Sequence, residues 1–311
     1  MKSKIKIGTR KSKLALWQAC FVENLLQREG LDTEIIKIDT KGDKILNVSI
    51  AKIGSKGVFT EEIEEKLAAG EIDIAVHSAK DMQSELPEGF ELIAFTQRER
   101  VNDVIVSQLQ NIALEDTQQS LTLGTSSVRR VALLRHYYPH VQTVAIRGNL
   151  QTRMAKLESG LCDALLLAYA GVHRMRYDDK IAAILPTDQF TPAVGQGSIA
   201  VEAARGLPSE KKKLIRKFVN HPQTEAPLKA ERSFLRTLQG GCSIPVFALA
   251  KLKADQISIS GGIVSTDGKT LIRHSLSDKV NKSEVLGKRL AHTILERGGA
   301  HILSSIKSHA A

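Results

Sequence analysis

The chain has 311 residues, enough for two or three domains with substantial cores. With 42% hydrophobic and 25% charged residues its composition is that of a soluble globular protein, and no apolar run is long enough to span a bilayer as a helix. The formal net charge of +10 calls for an anionic partner or a basic surface. Aromatics are only 4%, however, and no segment concentrates the charge, which argues against nucleic acid.

The start, MKSKIKIGTRKSK, lacks the apolar core of a secretory signal. IKIG (5–8) reads as a strand leading into a helix from about Ser12, with Leu14, Trp17, Phe21 and Leu25 on its apolar face. TEIIKID (33–39) is a strand, and 41–57, rich in lysine and glycine, is long enough for a mobile loop over a site. A helix over 60–69, acidic in its first turn and closed by Gly70, precedes the buried strand IDIAVHS (72–78). The pattern then restarts: LTLGTSS and a helix VRRVALLRHYY, VQTVAIRG and a helix NLQTRMAKLESG, then ALLLAYAG. This alternation predicts an α/β fold with mainly parallel sheets, in two similar blocks with ligand bound in the cleft between them. TPAVGQG (191–197) suits a hinge between the blocks. Two helices (209–220 and 224–238), three strands and a final helix near 283–296 predict a small α+β domain starting near Asn220.

Arginines cluster where strands end and helices begin, positions suited to anions. Arg10 and Ser12 lie in GTRKS. Arg129 and Arg130 lie in GTSSVRR, where Ser126 or Ser127 can cap the helix, and the two arginines are expected to diverge and hold different carboxylates. Arg147, Gly148 and Arg153 lie in RGNLQTR, and Arg174 in AGVHR. In HSAKD, Lys80 stands beside Asp81 where a buried strand leaves the core. An isolated Lys-Asp pair is as readily a surface ion pair, but at the mouth of a basic cleft Asp81 becomes a candidate for proton transfer or cation stabilisation. The cysteines Cys20, Cys162 and Cys242 are odd in number and have no metal-ligand spacing. They fit a reducing cytoplasm, and no metal is expected. Cys242 follows Gly240 and Gly241. It is either a buried thiol near a turn or a thiol presented so that a group can be attached to it.

Eight motifs run in order along nearly the whole chain: IGTRKSKLALWQA, KGVFTEEIE, DIAVHSAKD, GTSSVRR, RGNLQTRMAKL, AYAGVHR, TPAVGQG and ERSFLRTLQGGCSIPVFA. Together they resemble the porphobilinogen deaminase (hydroxymethylbilane synthase) family. The resemblance implies two α/β domains like periplasmic binding proteins flanking a cleft, plus a small C-terminal α+β domain. Domain 1 would comprise 1–97 and 198–217, domain 2 101–193 and domain 3 220–311. It implies a transferase that deaminates four porphobilinogen molecules in turn and joins them head-to-tail onto a dipyrromethane cofactor, carried as a thioether on Cys242. Hydrolysis then releases hydroxymethylbilane. By the same resemblance, Lys80, Asp81, Ser126, Ser127, Arg129, Arg130, Arg147 and Gly148 bind the cofactor. Arg10, Ser12, Phe59, Arg147, Arg153, Arg174 and Gln196 bind substrate and growing chain. Asp81 stabilises cationic intermediates, and Lys52 and Lys56 belong to the mobile loop. A cytoplasmic monomer, without nucleic-acid or membrane partners, is implied.

Departures from the family pattern include two positions beside Lys80 and Asp81, and a glutamate in KGVFTEEIE where a lysine is common. Ala79 and Gln83 stand where methionine and proline are usual, and loss of the proline relaxes the backbone around Met82. The alternative from a different class is a two-domain anion-binding receptor or effector module without catalysis. It would use the same cleft but has no need of the thiol or of the Lys-Asp pair.

Overall fold

The computed structural model describes residues 4–41, 60–109, 112–241 and 243–308. The first lobe is built on β1 (Ile5–Arg10), β2 (Thr33–Ile38), β3 (Ile74–Ser78) and β4 (Phe90–Phe95), with helices α1 (Lys13–Gln27) and α2 (Glu61–Ala68). The chain then crosses to the second lobe, formed by β5 (Asp103–Ser107), β6 (Thr122–Gly124), α3 (Val128–Tyr137), β7 (Gln142–Val144), α4 (Leu150–Glu158), β8 (Ala164–Ala168), α5 (Tyr169–Arg174) and β9 (Ile181–Ile184). It returns through β10 (Ile199–Ala204) to the first sheet and adds α6 (Ser209–Val219).

The sheets have equivalent orders, β2-β1-β3-β10-β4 and β7-β6-β8-β5-β9. In each, the strand next to one edge is the crossing strand, and it runs antiparallel to both neighbours. The parallel pairs β1–β2, β1–β3, β6–β7 and β6–β8 match the alternation in the sequence. The expectation of mainly parallel sheets is refined by the two crossing strands. Both are buried throughout or nearly so, as strands flanked on each side and covered on both faces must be.

The third unit packs α7 (Pro222–Thr237) and α8 (Ser283–Ile294) on an antiparallel sheet of β11 (Val246–Lys253), β12 (Gln256–Val264) and β13 (Leu271–Lys279). Beyond a kink at Gly298 (φ 107°), α9 (Ala300–Ser308) continues past the single helix expected. This unit is fastened to the second lobe. Phe247 and Val264 enter the core cluster of Ile105 and Phe190, Arg135 donates to Thr266 O at 2.7 Å, and His136 Nδ1 lies 2.7 Å from Gly268 O. Among the described residues, no helix is long and apolar enough to cross a membrane.

The apolar face assigned to α1 is divided between two contacts. Ala19, Val22 and Leu26 are buried against the sheet, while Trp17 is 37% exposed and Leu14, Phe21 and Leu25 are half-buried. Phe21 and Leu25 pack on that same first-lobe core, whereas Leu14 and Trp17 reach towards the second lobe. Trp17 stacks on Phe21 (centroids 5.6 Å apart) and lies beneath the Arg174 guanidinium of α5, 5.4 Å from it. An interlobe contact and a core face have the same periodicity, so sequence alone does not separate them.

The hinge segment 191–198 passes so close to its neighbours that only glycine fits at two places. Gly195 (φ 77°) would bring a Cβ within 2.9 Å of Ala79 C, and Gly197 (φ 94°) within 2.5 Å of Glu99 O. Both obstacles are backbone, so neither yields cheaply. Gly197→Ala is expected to destabilise the protein by more than about 1 kcal/mol, because strain at positive φ adds to the clash. A denaturant midpoint equal to that of the parent protein would refute this.

Candidate active site

The site lies where strand ends of both lobes meet the hinge. On the first lobe, β3 runs into a 3₁₀ turn, Ala79–Asp81, whose first N–H donates to Ser198 O at 3.0 Å. Asp81 is exposed there, and Lys80 is half-buried with Nζ 3.4 Å from Gln196 Oε1. A small pocket beside the turn is lined by Arg10, Ser12, Gln18, Thr60, Ser78 and Asp81. Ser12 caps α1 by accepting from Ala15 N at 3.3 Å. Gln18, buried despite its polarity, donates to Ser78 Oγ at 2.8 Å and fixes the strand end.

Gln83 stands where the resemblance implied a proline, and its contacts anchor the turn. Gln83 Nε2 donates to Thr60 Oγ1 at 3.1 Å and to Glu64 Oε1 at 3.4 Å, while Gln83 O accepts from Arg232 Nη2 at 2.8 Å. Side-chain bonds to α2 and to α7 thus anchor the turn.

On the second lobe, Ser127 caps α3, accepting from Arg130 N at 3.5 Å, and Ser126 donates to Ile146 O at 3.0 Å. Arg129 and Arg130 are both 5% exposed. They do not diverge, contrary to the sequence expectation. Arg129 Nη2 reaches Asp103 Oδ2 and Arg130 Nη2 reaches Asp103 Oδ1, each at 2.7 Å. Consecutive helix residues point about 100° apart, but these long side chains fold back onto one carboxylate at the start of β5. Their Nη1 atoms donate to Thr191 O and Leu166 O, each at 2.9 Å. The Nε–H of each is buried without a partner among the described residues.

Arg153 donates to Gly148 O at 2.8 Å, and Gly148 (φ 110°) turns the chain into Asn149, the cap of α4. Arg147 is half-buried nearby. Arg174 is brought to the hinge, donating to Gly197 O at 2.7 Å beside the Trp17 ring. Gln196 is 1% exposed and donates to Val101 O at 2.8 Å and to Asp103 Oδ1 at 2.9 Å. Cys242, Lys52, Lys56 and Phe59 lie outside the described residues. Beside Cys242, Gly240 packs against Leu235, where a Cβ would come within 2.6 Å, whereas a Cβ on Gly241 would meet nothing within 4 Å. Packing therefore accounts for the first glycine, and the second borders open space.

The electrostatics favour an anion. Burial and the adjacent Arg130 push the Lys80 ammonium down to about 8, against the opposing pull of Asp81 and Asp103. Burial and Arg130 likewise push Arg153 down to about 10, with Asp81 opposing, so charges of the two lobes sense each other across the cleft. Burial also lowers Arg129. Burial raises the Asp103 carboxyl, but Arg129 and Arg130 outweigh it and hold it well below the usual carboxylate range. Two guanidiniums and an ammonium thus share one buried carboxylate. A polycarboxylate such as a dipyrromethane bearing acetate and propionate groups fits these residues, because each carboxylate that arrives relieves cations already held at a cost.

Three hubs escaped the sequence reading. Asp103 is one. Glu231, fully buried on α7, accepts from Arg98 at 2.6 and 3.1 Å, from Gly195 N at 2.9 Å and from Ala250 N at 2.8 Å. It ties both hinge segments to β11. His77 Nε2 lies 3.0 Å from Glu202 Oε2, both buried beneath α2, where burial raises the Glu64 carboxyl. The available signal was a charged residue within an apolar pattern: Asp103 opens the buried run DVIVS, and Glu231 falls on the Leu228–Phe234 stripe of α7.

A family model described as "Porphobilinogen deaminase, dipyromethane cofactor binding domain" matches residues 5–211, and one described as "Porphobilinogen deaminase, C-terminal domain" matches residues 226–296. The chain belongs to the porphobilinogen deaminase family. A porphobilinogen deaminase of Desulfosudis oleivorans is 56% identical over 303 residues, covering 97% of this chain and 98% of the relative. One of Cytophaga hutchinsonii is 53% identical, covering 99% and 98%. Among solved structures, the periplasmic VFT2 domain of Bordetella pertussis BvgS aligns with a TM-score of 0.43 at 21% identity, over 69% of this chain and 86% of that one. Family membership makes the chain a transferase of tetrapyrrole biosynthesis with a dipyrromethane cofactor and porphobilinogen as substrate. The receptor alternative is set aside.

Proposed function

We propose that the cleft between the lobes binds the carboxylates of cofactor, substrate and growing chain while Asp81 stabilises the positive charge that develops on pyrrole nitrogen. The observation that carries this reading is the pairing of Arg129 and Arg130 on one buried carboxylate, with Lys80 beside them and Arg153 facing both Arg130 and the exposed Asp81. When bound through the thiol of Cys242, the dipyrromethane supplies the free pyrrole carbon on which the chain starts.

The protein's own groups do the rest. Lys80, Arg129, Arg130 and Arg147 hold cofactor carboxylates, with Ser126, Ser127 and Gly148 shaping the helix starts around them. Arg10, Ser12 and Arg153 take carboxylates of incoming substrate and growing chain. Arg174 and Gln196 act at the hinge, which the chain has to accommodate as it lengthens. Asp81 accepts pyrrole N–H groups and offers a fixed negative charge as ammonia leaves, without reorganisation at the moment of reaction. Family resemblance alone assigns Lys52 and Lys56 to a loop over the cleft and Phe59 to substrate binding. The chain acts as a monomer in a reducing cytoplasm, where the Cys242 thiol stays free for attachment.

The test is the intact mass of the purified protein. It is expected to exceed the mass of the sequence by one dipyrromethane, with the excess on the peptide containing Cys242, and Cys242→Ser is expected to lose it. An excess found on Cys20 or Cys162, or an unmodified protein with full activity, refutes the assignment.

A further inference from the structure

Asp103 is fully buried at the first position of β5, on the strand that carries the chain into the second lobe. Its Oδ2 accepts from Arg129 at 2.7 Å. Its Oδ1 accepts from Arg130 at 2.7 Å and from Gln196 Nε2 at 2.9 Å. The last contact has a consequence for the first lobe. A side-chain amide has one donor end and one acceptor end. Asp103 and Val101 O both take the nitrogen end of Gln196, so the oxygen end is the one presented to Lys80 Nζ, at 3.4 Å. Were the amide reversed, it would point N–H groups at an ammonium.

We propose that Asp103 is a positioning residue for the reaction: it fixes the arginine pair of the second lobe and, by orienting the Gln196 amide, holds the Lys80 ammonium of the first lobe in the same cleft. This rests on the reading of the cleft as a carboxylate site. Asp103 has no exposed surface and acts through these partners. It also sets how much positive charge the cleft offers, since one carboxylate offsets one of the cations gathered there.

The charged groups facing Lys80 are Asp81 on its own turn, Arg129 and Arg130 from α3, and Asp103 from β5. Asp103→Asn nearly preserves shape but leaves one oxygen for three donors, and it removes a negative charge that supports the Lys80 ammonium. The experiment is acylation of Lys80 by an amine-selective reagent across a pH series, read by peptide mass spectrometry on enzyme of matched cofactor content. Only the neutral amine reacts, so the labelling midpoint follows the Lys80 titration. In Asp103→Asn the midpoint is expected to fall by about one pH unit. In Asp103→Glu, where the charge is restored, it returns towards that of the parent protein. In Gln196→Leu, which removes the acceptor and keeps the charge, it falls by a smaller amount. General loosening of the fold does not restore the midpoint when only the charge is restored. An unchanged midpoint in Asp103→Asn overturns the proposal; if that variant does not fold, an unchanged midpoint in Gln196→Leu does so. The readout needs no porphobilinogen. A null result here therefore leaves the proposed function standing, whereas absence of the cofactor mass from Cys242 removes that function and not this coupling.

Discussion

Asp81→Asn is expected to fold and to carry the cofactor, yet to turn over at least about a hundredfold more slowly than the parent protein. The carboxylate is exposed on the cleft at the end of a turn held by Ala79 N to Ser198 O, so its replacement leaves the hydrogen bonds of the buried Asp103 cluster in place. Asparagine keeps the shape and an acceptor oxygen. The loss therefore reports the charge, and a preorganised group of this kind is commonly worth about 2.7–4 kcal/mol in the transition state. Asp81→Glu keeps the charge but displaces it and should retain part of the activity. Single-turnover formation of the enzyme-bound chain is the measurement. A near-normal rate in Asp81→Asn would mean that the carboxylate is only a surface partner of its lysine neighbour.

Glu231→Leu should have the largest effect on stability. Its carboxylate is fully buried and takes four hydrogen bonds: two from Arg98, one from Gly195 N and one from Ala250 N. Leucine removes every acceptor at once and strands a largely buried guanidinium. Breaking one partner of such a pair costs about 3–5 kcal/mol. Because the same oxygens bind both hinge segments and β11, the third unit should loosen from the hinge as well. Urea denaturation, with hydrogen exchange at Gly195 and Ala250, measures both effects. A midpoint within error of the parent protein, with both amides still protected, would contradict the assignment of Glu231 as the clamp.

The two α/β blocks and the three-stranded third unit were legible in the sequence because their strands and helices carry clear periodicity between glycine-marked turns. IDIAVHS and ALLLA, for example, are apolar runs too short for helices. The return strand β10 was less visible, since SIAVEAA places Glu202 in the middle of a buried strand and reads as amphipathic. Among the candidate site residues, Lys80, Arg129, Arg130 and Arg153 stand out in the sequence because cations at strand ends and helix starts form a recognisable pattern, and Asp81 because it follows a lysine where a buried strand leaves the core. What they bind inside the protein was not legible. Asp103 pairs with arginines 26 and 27 residues away, and Glu231 with Arg98 at a separation of 133, and nothing in local composition encodes such pairings. The shared target of Arg129 and Arg130 follows from tertiary folding alone.

The crossing strands also govern how the protein comes to be made. Every strand of the second sheet lies within one continuous stretch of chain, from Asp103 to Ile184. The first sheet begins earlier but stays open, because β10 must be inserted between β3 and β4. A growing chain emerging from the ribosome therefore has every strand of its second sheet before its first sheet can close. The N-terminal lobe waits with unpaired strand edges, the kind of surface that recruits other chains, until residue 204 has been synthesised. The sheet whose synthesis begins first is thus not the first that can close.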